Sequence, residues 1–301
     1  MVTKHIKRQH VISQVLLRRF ADPGTRQVGV YSLASGSIKK SSPKSIGFVP
    51  DYVSHQPWAA EKLWQTVESR LTPAFTALDA GHAALAPEHL RAIADCVALH
   101  FSRSIQTRQI HEISFANIEQ AVREDQHRLK HLALLKHGLH LDSPDILESI
   151  ADEILEEIRL GNGSGELFQN WVEEIFQKTC SYLGSGRVTV HYCDDGVELV
   201  LGDSPSFGFR PGMQPTDRLP LYDSAAVLMP LGPRALVAID WGSSKLPAAE
   251  RVQQEHALYI NRVQAVQAHD RVYYRPSSGL NSFVRKCRPP TARYPRVASE
   301  P

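Results

Sequence analysis

The sequence changes texture at Gly184, and that change limits the folds open to the chain. Between Ala59 and Leu183 apolar residues recur at steps of three and four, the spacing of one helix face. Leu63, Trp64, Val67, Leu71, Phe75 and Leu78 mark a first helix to Ala80, which Pro73 should kink or restart. Leu90, Ile93, Val97, Phe101 and Ile105 mark a second, beginning at Pro87 with a polar extension through Glu124, and the long run to His137, ended by Gly138, reads as one or two helices. Ser143 and Pro144 open a third, whose apolar face from Ile146 to Ile158 runs on to Leu160. The flexible 161-GNGSG-165 separates it from a fourth, Glu166 to Leu183.

After Gly184 the period drops to two. Arg187 to Cys193 and Val197 to Leu201 read as a hairpin around 194-DDG-196, and Ala225 to Pro230 and Ala235 to Trp241 as another around Gly232-Pro233. A helix from Ala248 to Ala268 and a strand from Arg271 to Tyr274 follow. Ahead of the helices, 27-QVGVYSLASGSIKK-40 reads as a further hairpin, and the prolines of 41-SSPKSIGFVPDYVSHQPW-58 make that stretch a loop. Segregated helices and strands give an α+β fold: an N-terminal β-hairpin, a helical middle and a C-terminal antiparallel sheet with a late helix. The expected organisation is one domain over residues 1–276, with a helical subdomain at about 59–183 and a sheet subdomain at about 184–276. The tail 277–301, rich in Ser, Pro and Arg, is expected to be disordered.

Charge is distributed more tellingly than its sum. The formal net charge is only +2, too little by itself for a dedicated nucleic-acid binder. Yet Met1 to Lys44 holds nine Lys/Arg against Asp22 alone, and Arg271 to Pro301 holds seven against Glu300. Asp142 to Glu174 carries ten carboxylates against Arg159. The basic termini therefore either attract nucleic acid or another phosphate-bearing ligand, or dock on this acidic segment of the same chain. Cys96, Cys180, Cys193 and Cys287 form no CxxC pair, and no run approaches the roughly 18 apolar residues of a membrane span. A reducing, cytoplasmic setting without a membrane partner is the expectation.

No GxGxxG follows a strand, and GxxxxGK[ST], GxSxG and HExxH are absent, so the common dinucleotide, NTPase, hydrolase-elbow and zincin chemistries lose their usual support. Individual polar residues remain. His10 precedes 14-QVLLRRF-20, where neighbouring Lys and Arg disfavour the imidazolium and leave a neutral base or ligand. Glu61 and Glu68 lie seven apart, on nearly one helix face, suited to a divalent cation or to divided acid and base roles. Arg103, beside an apolar stripe, either holds a phosphate or pairs with a carboxylate such as Glu68. Asp203 sits at a strand end, suited to metal or catalytic work or to capping a turn. Asn261 and Gln264, one turn apart, could orient a water, read a base edge, or tie their helix to the sheet.

The stretches 10-HVISQVLLRRFAD-22, 61-EKLWQTVESRLTPAF-75, 99-LHFSRSIQTR-108, 200-VLGDSP-205, 229-MPLGPRALVAI-239 and 260-INRVQAVQAHDRVYY-274, in that order, resemble a bacterial family known as domain of unknown function 4238. Its pattern of H-x-[VI]-P-x-x-x-L-[RK]-x-F, paired glutamates, an arginine after an aromatic-rich helix and a D-x-P strand end falls on His10, Leu17, Phe20, Glu61, Glu68, Arg103, Asp203, Pro205 and Asn261. Ser13 stands where that pattern has proline. The resemblance implies the fold and its extent, and carries no assigned activity.

From these residues the expected function is a metal-dependent phosphodiesterase or nuclease-like hydrolase, serving as a defence or toxin effector. His10, Glu68, Arg103, Asp203 and Asn261 are its expected catalytic residues; His10, Glu68 and Asp203 would hold a divalent metal such as Mg or Mn. The rival is a non-catalytic module that binds nucleic acid or protein, its polar residues forming a closed structural network. The two readings part at one point: a structural network should be fully paired, a site should not.

Overall fold

Helices and strands segregate in space as they do in sequence, in an α+β arrangement. The computed structural model describes residues 8–81, 85–137, 144–242 and 251–287. Strand β1 (Arg8–His10) leads into helix α1 (Gln14–Arg19), strands β2 (Val28–Ser32) and β3 (Ile38–Ser41) form the N-terminal hairpin, and β4 (Phe48–Pro50) returns to pair with β1. Seven helices make the middle: α2 (Pro57–Ala80), α3 (Pro87–Ser102), α4 (Ile105–Ala116), α5 (Ile118–Glu124), α6 (Gln126–His137), α7 (Pro144–Ser164) and α8 (Glu166–Gly184). Then come β5 (Arg187–Cys193), β6 (Leu201–Gly202), β7 (Phe207–Phe209), β8 (Ala226–Gly232), β9 (Ala235–Asp240), β10 (Arg251–Val252), α9 (Gln254–Gln267), β11 (Arg271–Tyr274) and α10 (Asn281–Lys286).

The larger sheet runs β10-β5-β9-β8-β7 and lies between two helical layers. Its two central strands, β8 and β9, are buried along their whole length. Successive side chains point to opposite faces, so Val237 and Ile239 join the core under the helical middle while Leu236 and Ala238 join Ile260 and Val263 of α9. Covering both faces explains why 226-AVLMPLG-232 reads as a continuous apolar run rather than an alternating one. A smaller sheet, β3-β2-β11-β6, packs Tyr31, Val272 and Tyr274 against α9 and α10.

Several expectations are corrected by packing. Residues 197–200 do not return along β5: β5 pairs with β9 and β10, while the chain crosses to the smaller sheet and pairs at Leu201 and Gly202 with β11. The 194-DDG-196 turn is there, with Val197 N–H donating to Asp194 C=O, but the next amide of this stretch in the bonding, Leu199 N–H, goes to Pro233 C=O. Pro73 neither restarts nor ends α2, because it stands on the exposed face while Leu71, Ala74, Phe75 and Leu78 hold the opposite face in the core. Helix α7 runs through 161-GNGS-164, and Gly165 alone, at φ 78°, makes the corner to α8. The tail is ordered through Cys287: Val284 of α10 is fully buried, and the remainder of the expected disorder, 288–301, lies outside the described residues. The acidic segment is not neutralised by the basic N-terminus at Glu148 and Asp152, which take Arg123, nor does Arg159 stay free, reaching Glu119. Among the described residues no helix is long and apolar enough to cross a membrane.

Candidate functional site

The chain breaks between α3 and α4, and that break builds the site. Ser102 ends α3, Arg103 caps it through its N–H to Leu99 C=O, and Ser104 starts α4 by accepting from Thr107 N–H at 3.1 Å. The turn carries the Arg103 side chain into the protein, where it is 1% exposed. Its guanidinium lies 4.9 Å from the Trp64 ring centroid and donates from Nη2 to Glu68 Oε1 at 2.8 Å. Glu61, Trp64 and Glu68 occupy positions i, i+3 and i+7 of α2, one face of the helix.

One arginine thus acts on two glutamates unequally. Burial alone would raise the Glu68 carboxyl, but the charge and hydrogen bond of Arg103 more than reverse this, so it titrates below the ordinary carboxylate range. Glu61 shifts the other way: burial raises its carboxyl, Arg103 pulls it back in part, and neighbouring Glu68 adds a smaller rise. Opposite shifts in paired carboxyls are the arrangement that divides acid from base.

His10 enters from β1. Its ring sits edge-on to Phe48, its ladder partner on β4, at 6.0 Å between centroids, and its Nε2 lies 3.1 Å from Gln14 Nε2. Burial first, then the Arg103 charge, lowers its pKa, so the neutral imidazole is favoured. The turn after it is fastened by one carbonyl, Gly47 C=O, which accepts from both Val11 N–H and Ile12 N–H. Gly47 has φ +72°, and a side chain there would meet Leu17 Cδ1 at 2.7 Å, so glycine is required twice over.

Behind this layer, buried His100 donates from Nδ1 to Cys96 C=O at 2.8 Å and accepts at Nε2 from Ser13 N–H at 3.0 Å. Burial and the Arg103 charge push its pKa down to about 4, so it is a neutral structural imidazole. Three polar atoms of the cluster are buried without a hydrogen-bond partner among the described residues: Arg103 Nε, Glu61 Oε1 and Ser13 Oγ. The Ser13 hydroxyl lies near enough to help hold Glu68 low without a hydrogen bond of normal geometry. Nothing in the sequence marks His100 or Gln14 as members; His100 falls four residues after Cys96 on an apolar helix and reads as core.

Asp203 and Asn261 lie in a different polar cluster. Asp203, 2% exposed, accepts from three consecutive backbone amides, His269 at 2.7 Å, Asp270 at 2.8 Å and Arg271 at 2.9 Å. Burial pushes its carboxyl up and the three amides pull it back part of the way. Both carboxylate oxygens are taken by backbone, which leaves Asp203 a clamp on the α9–β11 turn and not the partner expected for His10. Asn261 is likewise committed at both ends, accepting from Val200 N–H and donating to Glu198 C=O, each at 2.8 Å. Gln264 repeats this one turn on, accepting from Gly202 N–H at 2.7 Å and donating to Pro205 C=O at 2.8 Å. The two amides stand in for a neighbouring strand on either side of the short β6, along residues 198–205.

The family described as "Protein of unknown function (DUF4238)" matches residues 8–278. The chain belongs to that family. No curated protein and no solved structure matches it. The DUF4238 match spans both polar clusters, from His10 to Asn261, and so takes in the whole of the fold that positions them.

Proposed function

We propose that the His10, Glu61, Glu68 and Arg103 cluster is a hydrolytic site for phosphodiester bonds of nucleic acid or another phosphate-bearing substrate. The observation that carries this reading is incomplete pairing. A buried guanidinium N–H and a buried carboxyl oxygen without partners cost about 1–3 kcal/mol each if left so, and a substrate whose oxygens accept from Arg103 Nε and from the protonated Glu61 carboxyl relieves both. Neutral His10 takes a proton from the attacking water, whose oxygen bonds to phosphorus. The P–O bond to the leaving group breaks, and Glu61, the carboxyl whose pKa is raised, returns a proton to that oxygen. Arg103 stabilises the phosphoryl charge, and Glu68 holds Arg103.

Among the described residues no group of three or more His, Cys, Asp or Glu side chains has metal-ligand spacing. With Asp203 in the other cluster, the described donor set does not fit a protein-held divalent cation. The second reading, a non-catalytic binding module, draws on the depth of Arg103 and its closed contacts with Glu68 and Trp64.

Cleavage of DNA, RNA and a chromogenic phosphodiester, each with Mg2+, with Mn2+ and with a chelator, separates the two. Wild type is expected to turn over at least one substrate, and His10→Ala and Glu61→Gln to be slower by about 100-fold or more. Equal rates in all three proteins would remove the cluster from the chemistry. No cleavage under any condition would leave the binding module standing.

A further inference from the structure

A second concentration of positive charge lies away from this cluster. A cleft of about 540 Å³ opens where the end of α1 meets the β8–β9 turn and the end of β11, and it is lined by Arg18, Arg19, Arg234 and Arg275 with Asp79 and Tyr192. Four arginines from three chain segments face one carboxylate in the lining. Arg19 is held on both edges, its Nε donating to Leu231 C=O as well, while Arg234 and Arg275 are held from one side. Arg19 bonds Asp79 through Nη1 and Nη2 at 2.9 and 2.7 Å and stacks 4.7 Å from the Phe75 centroid. Arg234 bonds Asp195 at 2.5 Å through Nη2, and Arg275 bonds Glu198 through Nε and Nη2. Among the described residues Nη1 and Nε of Arg234, Nη1 of Arg275 and the whole of exposed Arg18 take no partner.

Carboxylates at the back of a guanidinium fix its plane and so lower the ordering cost of a further bidentate bond from its other edge. They do not cancel the charge: counting Asp195 and Glu198 with the lining still leaves four cations to three anions. Arg18, exposed in the lining and without a side-chain partner among the described residues, keeps its whole guanidinium for a ligand.

We infer that this cleft is an anion site for a ligand bearing two or more phosphate groups, whether the backbone of a nucleic-acid strand or a free polyphosphate. Its planar, spaced guanidiniums suit bidentate phosphate recognition, and the site stands whether or not the His10 cluster is catalytic. In the intact protein, binding of a fluorescent 12-nucleotide single strand is measured by anisotropy at low salt in a chelator, with pyrophosphate and inorganic phosphate as competitors. Arg18→Ala and Arg234→Ala are each expected to weaken binding about tenfold, and each to lower the salt dependence by about one released counterion. Arg262→Ala, exposed on α9, is expected to leave binding unchanged. Competition by pyrophosphate at concentrations where inorganic phosphate is inert identifies a free polyphosphate; failure of both competitors with retained strand binding identifies nucleic acid. Binding unaltered in both arginine variants, or no binding of strand or pyrophosphate by wild type, would overturn the site. Strand binding is scored here in a chelator and turnover in the separate cleavage assay, so loss of this site and loss of the hydrolytic reading are read separately.

Discussion

Arg103 and Asp203 are both buried charges at the end of a regular element, yet they are satisfied in opposite ways. Asp203 has three backbone amides and needs nothing else. Arg103 has one carboxylate, one aromatic face and an N–H left over. Backbone partners are fixed by the fold itself, so a side chain they saturate belongs to the architecture. Side-chain partners with capacity left over leave room for a ligand. The difference separates scaffold from candidate site without any appeal to residue type.

The sharpest way to break this comparison is Asp203→Ala. Three part-buried amides lose their acceptor at about 1–3 kcal/mol each, less what water restores, so a loss on the order of 4 kcal/mol is expected in urea unfolding. A change under about 1 kcal/mol would show that the clamp is not architectural. Next in size is a pH effect from the other cluster. The unfolded chain binds a proton at His100 below about pH 6.5, the folded chain only below about 4. Stability from this group is therefore full above pH 6.5 and falls as pH drops toward 4, by about 3 kcal/mol in all. The urea midpoint of wild type should track that window, and His100→Gln should flatten it.

Glu68→Gln removes the counter-charge of Arg103. Breaking a buried pair costs about 3–5 kcal/mol, and since Glu68 is 24% exposed, water screens part of that, leaving about 2 kcal/mol. His10→Ala is the smallest perturbation of the fold, expected within about 1 kcal/mol because the ring is only partly buried and its hydrogen bonds go to the Gln14 side chain and the Lys44 backbone at the margin of the core. Its effect belongs to turnover. A thermal melt set beside the cleavage assay checks that contrast, and a His10→Ala protein that unfolds early would move His10 into the scaffold.

The sequence carries the elements of this fold well where one rule governs a segment. Helical spacing marks α2, α7 and α8, and the Gly232-Pro233 turn marks β8 and β9. It fails where a long-range partner decides. Residues 197–200 have the composition of a strand, but their polar partners are Asn261 and Pro233, more than thirty residues on. The pairing of Glu68 with Arg103 is legible because both lie beside apolar stripes that must meet. Asp203 and His10 look equally functional as isolated residues. Only the three amides around Asp203 tell them apart, and amides carry no sequence signature.

Ser13 contributes to the cluster through its backbone as well as its hydroxyl. Its N–H holds His100 Nε2, and its φ of −53° is one that proline also adopts. Proline at position 13, as the family pattern has it, would therefore keep the turn and delete the hydrogen. His100 Nδ1 would stay tied to Cys96, and Nε2 would carry a bare lone pair behind Arg103 and Glu68. A single amide hydrogen thus acts as a stopper on a second imidazole, and a Ser13→Pro variant would present one more open ring nitrogen without a change in any histidine.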